Sequence, residues 1–109
     1  PLTWYNIHMK AINTYEMTTP RDGLTKYKFS GHGYTLSVAT HEHAYADKDS
    51  CEIALLDEHD HFIPLTRHDN VAGYIPRDQV DGLLSVLETC KTPPFRYFHH
   101  KYETDWDNE

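Results

Sequence analysis

The sequence predicts an α+β fold: a meandering antiparallel β-sheet or roll of six to seven short strands, with one C-terminal helix packed on it. Three observations carry that expectation. Short stretches of alternating apolar and polar residues recur from Tyr5 to Ile75. Turn-forming clusters of Gly, Asp, Asn and Pro separate them. Only after Pro76 does the apolar spacing change to that of a helix.

In residues 3–11, Tyr5, Ile7, Met9 and Ala11 share one parity and Asn6, His8 and Lys10 the other, which is strand spacing. Trp4, Ile7, His8, Ala11, Ile12 and Tyr15 also fit helical spacing, but aromatic and β-branched content and the lack of a cap favour strand. Thr19-Pro20-Arg21-Asp22-Gly23 reads as a turn, because proline presets φ and glycine tolerates the reversal that follows. It leads into a strand over 24–30. Gly31-His32-Gly33 reverses the chain into 34–40, where Tyr34, Leu36 and Val38 alternate with Thr35, Ser37 and Ala39. Segments 51–57 and 61–66 form a hairpin around Glu58-His59-Asp60, and Arg67-His68-Asp69-Asn70 turns into a strand over 71–75.

Pro76 sits where a helix begins, since its missing N–H has no partner to lose there. Val80, Leu83, Leu84 and Leu87 follow at i, i+3, i+4 and i+7, and Thr92-Pro93-Pro94 stops the helix. Phe95–Tyr102 is expected as one more strand. Residues 1–102 thus read as one globular domain and 103–109 as an acidic tail. A pleckstrin-homology-like roll resembles this order of elements, a likeness of order alone that implies no function.

With 10 Lys and Arg against 17 Asp and Glu, the formal charge is −7, which argues against direct binding to nucleic acid or anionic membranes. Protonating all nine histidines would carry it from −7 to +2, so the balance is sensitive to mild acid. The longest aliphatic run, Ile53-Ala54-Leu55-Leu56, is far short of the ~20 residues that cross a bilayer. Two cysteines, Cys51 and Cys90, fit neither a disulfide scaffold nor a C-x-x-C motif, and the first residues lack the regions of a secretory leader; a cytoplasmic location is the expectation.

Two His-x-His pairs, His41-Glu42-His43 and His59-Asp60-His61, with His68 nearby, are candidate ligands for zinc or another divalent transition metal, because residues two apart on a strand share a face. His41-Glu42-His43 looks like the first cupin metal motif, but its spacing from Gly33 is wider, Glu52 lies too far on, and the second motif lacks its glycines. Thr40-His41-Glu42-His43-Ala44-Tyr45 echoes the metallo-β-lactamase signature, with Tyr45 where an aspartate stands. Neither likeness transfers site residues. Pairing 51–57 with 34–45 through the loop at 47–50 places the two pairs at opposite ends, about 13 Å apart along the strands. A register that buries Leu36 and Val38 also sends His41 and His43 to the other face.

Charge is therefore the leading asset. Asp57, Glu58 and Asp60, with Glu103, Asp105, Trp106 and Asp107 of the tail, are the candidate partner-binding residues. No catalytic signature is recognised, and the 13% aromatic content exceeds what one small core requires. The expectation is a small acidic, non-enzymatic protein-binding module, an inhibitor or regulator of a basic, nucleic-acid-handling partner. A histidine-based metal protein or metalloenzyme is the alternative. An exposed sheet edge leaves homo-oligomerisation open.

Overall fold

In a computed structural model, residues 12–92 and 95–102 are described. The expected strand over 3–11, the Pro93-Pro94 stop and the tail residues Glu103, Asp105, Trp106 and Asp107 lie outside them. The described elements are β1 (Tyr15–Arg21), β2 (Leu24–Phe29), β3 (Thr35–Ala39), β4 (Ser50–Leu56), β5 (Phe62–Ile63) and β6 (Val71–Pro76). A 3₁₀ turn (Arg77–Gln79), α1 (Val80–Thr89) and α2 (Phe95–Tyr102) follow.

The strands form one six-stranded antiparallel sheet in the order β1-β2-β3-β4, and the far edge of β4 is shared by β5 and β6. Cross-strand partners share a face, so the register defines two surfaces. The inner rows are Met17, Tyr27, Leu36, Leu55 and Ile63, then Thr25, Val38, Ile53 and Ala72. The outer rows are Glu16, Lys28, Thr35, Leu56 and Phe62; then Thr18, Lys26, Ser37, Ala54 and Val71; then Arg21, Leu24, Ala39 and Glu52.

The alternation expected for β3 puts Leu36 in the core, with Val38 packed against it. Leu36, Ile53 and Leu55 are fully buried in one cluster with Leu83, Leu84 and Leu87 of α1 and Phe98 of α2. Each such side chain contributes roughly 1.5–3 kcal/mol relative to exposure. Leu83, Leu84 and Leu87 form the stripe read from the sequence, so α+β with a C-terminal helix on a meandering antiparallel sheet is the fold.

Three expectations change. Phe95–Tyr102 is a helix, not a seventh strand. Strand spacing would have put His100 on the same face as Phe98, whereas helical spacing aligns Phe98 with Tyr102 toward the cluster. Thr19, Pro20 and Arg21 belong to β1 and only Asp22-Gly23 turns, with Gly23 at φ 76°. Proline is tolerated there because β1 is terminal in the described sheet. The strand expected over 61–66 pairs only at Phe62–Ile63, and the chain beyond it is tied by Leu65 and Thr66 N–H donating to the Asp69 carbonyl.

The end of α1 is held from an unexpected place. Backbone N–H groups of Ile12 and Asn13 donate to Glu88 O at 2.8 and 2.9 Å. Asn13, 5% exposed, donates through Nδ2 to Leu87 O at 3.0 Å and to Cys90 O. His32 donates to Leu87 O as well, through Nε2–H at 3.2 Å, while its Nδ1 accepts from Tyr34 N–H. Carbonyls that a helix leaves unpaired at its C-terminus thus find partners on the segments that flank β1 and β2. A side chain at Gly31 would run into the Asn13 amide, so that turn needs glycine.

Candidate functional site

Leu83, Leu84, Leu87 and Phe98 of the helices pack on the inner face of the central strands; the outer face carries two features with binding chemistry. The first is the β4–β5 turn. Asp57 accepts the backbone N–H of His59 at 2.8 Å and of His61 at 2.9 Å on one oxygen, and its own N–H donates to His61 O. Asp60 completes the reversal at φ 63°, a left-handed conformation that aspartate tolerates better than most residues. The His61 and then the His59 N–H, with help from the two nearby imidazoles, hold the Asp57 carboxyl below the usual carboxylate range against a desolvation that opposes them. Glu58 and Asp60 stand exposed on this rigid turn, and Phe62 follows with 53% of its surface in solvent.

The second feature is a groove of about 230 Å³ across the outer face. Its floor is short, with Ser37, Ala39 and Ala54, and Leu24, Leu56, Phe62 and Val71 surround it. Arg21, Lys26 and His41 line it. Among the described residues Glu52 is its one carboxylate, and that group accepts Tyr45 N–H at 2.9 Å. No ion pair to Arg21 or Lys26 forms among the described residues. Small-molecule sites enclose roughly 300–1,000 Å³, so an open groove of this size suits side chains of a docked protein better than a ligand buried on all sides.

Next to Glu52, two backbone devices shape the β6 side of the sheet. Tyr45 O accepts Tyr74 N–H at 2.8 Å, which ties the β3–β4 loop across Glu52 to β6. Opposite Glu52 the β6 register slips, Tyr74 adopts φ 54°, and a Cβ on Gly73 would come within 2.5 Å of Tyr45 Cβ. Tyr45 and Tyr74 are both mostly exposed there. Holding a tyrosine in the left-handed region costs about 1–3 kcal/mol, which the surrounding structure has to offset.

The five histidines singled out from the sequence lie apart. His41 and His43 sit in a turn after β3, with ring centroids 6.4 Å apart, and His41 Nδ1 accepts His43 N–H. His59 and His61 sit at the opposite end of β4, with centroids 6.2 Å apart, beside Glu58 and Asp57 respectively. His68 is in the 64–70 loop, its N–H donating to Thr66 Oγ1. Among the described residues no three His, Cys, Asp or Glu side chains gather as a metal site. Cys51 is buried and Cys90 partly so, and burial pushes both thiols up, away from nucleophilic character.

The acidic residues Asp57, Glu58 and Asp60 are brought together as the sequence suggests. Arg21, Lys26 and the small central residues were not singled out by sequence reading; the signal was the outward parity of the 24–30 and 34–40 strands, which carries Lys26 and Lys28 beside Ser37 and Ala39. No family model, curated protein or solved structure matches this chain, so the likeness to a pleckstrin-homology-like roll stays one of element order. Among the described residues no helix is long and apolar enough to cross a membrane.

Proposed function

We propose that the protein is a non-enzymatic binding module that docks on a basic protein surface through the β4–β5 turn, and that it inhibits or regulates the partner it covers. The observation that supports this reading is the preformed turn: Asp57 fixes the backbone, Glu58 and Asp60 present carboxylates, and Phe62 supplies an exposed apolar anchor beside them. A rigid acidic turn loses little conformational freedom on docking, and an aromatic group flanked by charge is the usual composition of an interface centre. Steering by carboxylates favours a partner rich in Lys and Arg, such as the surface of a protein that handles nucleic acid.

A pull-down with the full chain as bait tests the reading. Partners retained in low salt are expected to be basic, to elute as salt rises through physiological strength, and to be lost with Glu58→Lys/Asp60→Asn. A partner whose retention ignores both salt and that variant would overturn the electrostatic reading.

A further inference from the structure

The β4–β5 turn carries groups that can cancel its own charge. It holds three carboxylates, Asp57, Glu58 and Asp60, interleaved with two imidazoles, His59 and His61, so its formal charge is −3 with neutral rings and −1 with both protonated. His59 Nε2 lies 3.7 Å from Glu58 Oε1, and His61 Nδ1 lies 3.8 Å from Asp57 Oδ2. Both rings are mostly in solvent. Imidazole is the side chain whose charge ordinarily changes between about pH 8 and 5, a range in which carboxylates stay ionised. The hydrogen bonds that fix the turn run to Asp57 from the backbone N–H groups of His59 and His61, not from the rings, so the charge can change while the backbone stays pinned.

We infer that His59 and His61 make docking by this turn pH-dependent: with neutral rings the turn presents its carboxylates to a basic partner, and in mild acid the imidazolium cations take those carboxylates for themselves and release it. The inference rests on the docking reading above and adds its regulation. A ring already beside a carboxylate needs no rearrangement to compete with the partner's Lys or Arg for it. Two positive charges within the turn also repel the partner's own cations.

Groups on neighbouring elements define the rest of the field. The β2–β3 turn lies against Glu58, since a Cβ on Gly33 would come 3.0 Å from Glu58 Cβ. Its His32 is turned to α1, with Nε2–H on Leu87 O and Nδ1 accepting Tyr34 N–H. The Tyr34 phenol is pushed above its ordinary value by burial and then by Asp57 and Glu58, and it stays neutral throughout. Lys28 stands two strands away in the outer row that ends at Leu56 and Phe62, opposite Glu16. Beyond β5 the chain carries Arg67, His68 and Asp69, and α2 meets it through His99, which donates Nε2–H to Pro64 O. Among the described residues, the side-chain charges that act on Asp57 come from His61 and then His59.

Backbone amide shifts of the full chain, followed as a hexa-arginine peptide is added with a chelator in every buffer, provide the test. Arginine keeps its charge over the whole range, so any effect of pH belongs to the protein. At about pH 7.5 the peptide is expected to shift the amides of residues 58–62, and the affinity read there is expected to be about tenfold weaker at about pH 5.5. His59→Gln/His61→Gln keeps the backbone donors of the turn and is expected to bind within about twofold equally at both pH values. His43→Gln/His100→Gln removes as many titrating rings from elsewhere and is expected to weaken in acid as the wild type does, which separates the turn from the net charge. Should the paired variant fold poorly, the single variants give a second reading, each expected to lose part of the pH effect. Wild-type affinity that ignores pH, or a His59→Gln/His61→Gln variant that weakens as much as the wild type, would overturn the inference and leave the docking reading standing. Shifts that miss the turn at about pH 7.5 would remove both, since the acidic turn is then not where a cation docks.

Discussion

On the inner face of the sheet, Leu36, Ile53 and Leu55 are buried under α1 and α2; on the outer face, Ser37, Ala39 and Ala54 lie in the same strands, with Ala39 and Ala54 only 5% exposed. The burial figures are alike and their causes differ. The inner residues are covered by helices that bring their own apolar stripe. The outer alanines stand apart from the core cluster, among the residues that line the groove. Low exposure alone therefore does not identify a core; what matters is whether the residue joins the apolar cluster.

Mutations sharpen that contrast. Leu36→Ala should cost about 2–5 kcal/mol, because it removes a fully buried side chain from the middle of the cluster and leaves a cavity under the helices. Chemical denaturation measures it, and a loss below about 1 kcal/mol would mean that the helices are not seated on the sheet as described. Next in size, Asn13→Ala should cost about 1–3 kcal/mol, since the carbonyls of Leu87 and Cys90 lose the buried donor that ties the end of α1 to the sheet. Faster amide exchange near that end of the helix should accompany the loss.

Tyr102→Phe should act in the opposite direction. The Tyr102 hydroxyl is buried with no hydrogen-bond partner among the described residues, and burial pushes its ionisation up, so removing it should stabilise the fold by about 1 kcal/mol in the same denaturation experiment. A destabilised variant would reveal a partner for that oxygen.

The remaining expectations concern the outer surface and are smaller. Because the folded Asp57 carboxyl titrates below its ordinary value, its support of the turn is complete above about pH 4 and is lost as pH falls through the lowered folded value. Amide exchange at His59 and His61 should therefore be flat with respect to this group from neutral pH down to about 4, and rise below it. Asp57→Ala should abolish that step and leave both amides exchanging faster throughout. Smallest of all, Lys26→Ala should change stability by no more than about 0.5 kcal/mol, because no ion pair holds that side chain among the described residues. A larger loss would assign Lys26 a structural duty within one chain.

The sheet and its covering helix were legible because each rests on a short period. Alternation in 34–40 identifies which residues face inward there, and the Val80, Leu83, Leu84, Leu87 spacing identifies the helical stripe. The segment Phe95–Tyr102 was misread because its eight residues mix apolar, basic and aromatic side chains that fit either period, and the choice was made by where Phe98 and Tyr102 find the cluster. Of the candidate site, the acidic turn was legible, since its residues are neighbours in the chain. The groove was not: Arg21, Lys26, Ala39, Ala54 and Phe62 come from five strands, and only pairing places them side by side.

By itself the sequence determined the α+β class, the inward parity of β3 and the concentration of charge at Asp57, Glu58 and Asp60, all of which follow from local spacing. Tertiary structure alone decided that Phe95–Tyr102 is a helix, that Asn13 closes the end of α1, and that Arg21, Lys26 and Phe62 line one groove. The physical reason is the same in each case. Parity and periodicity act over a few bonds, whereas contacts between strands depend on register, and register emerges only when the whole sheet buries its inner face.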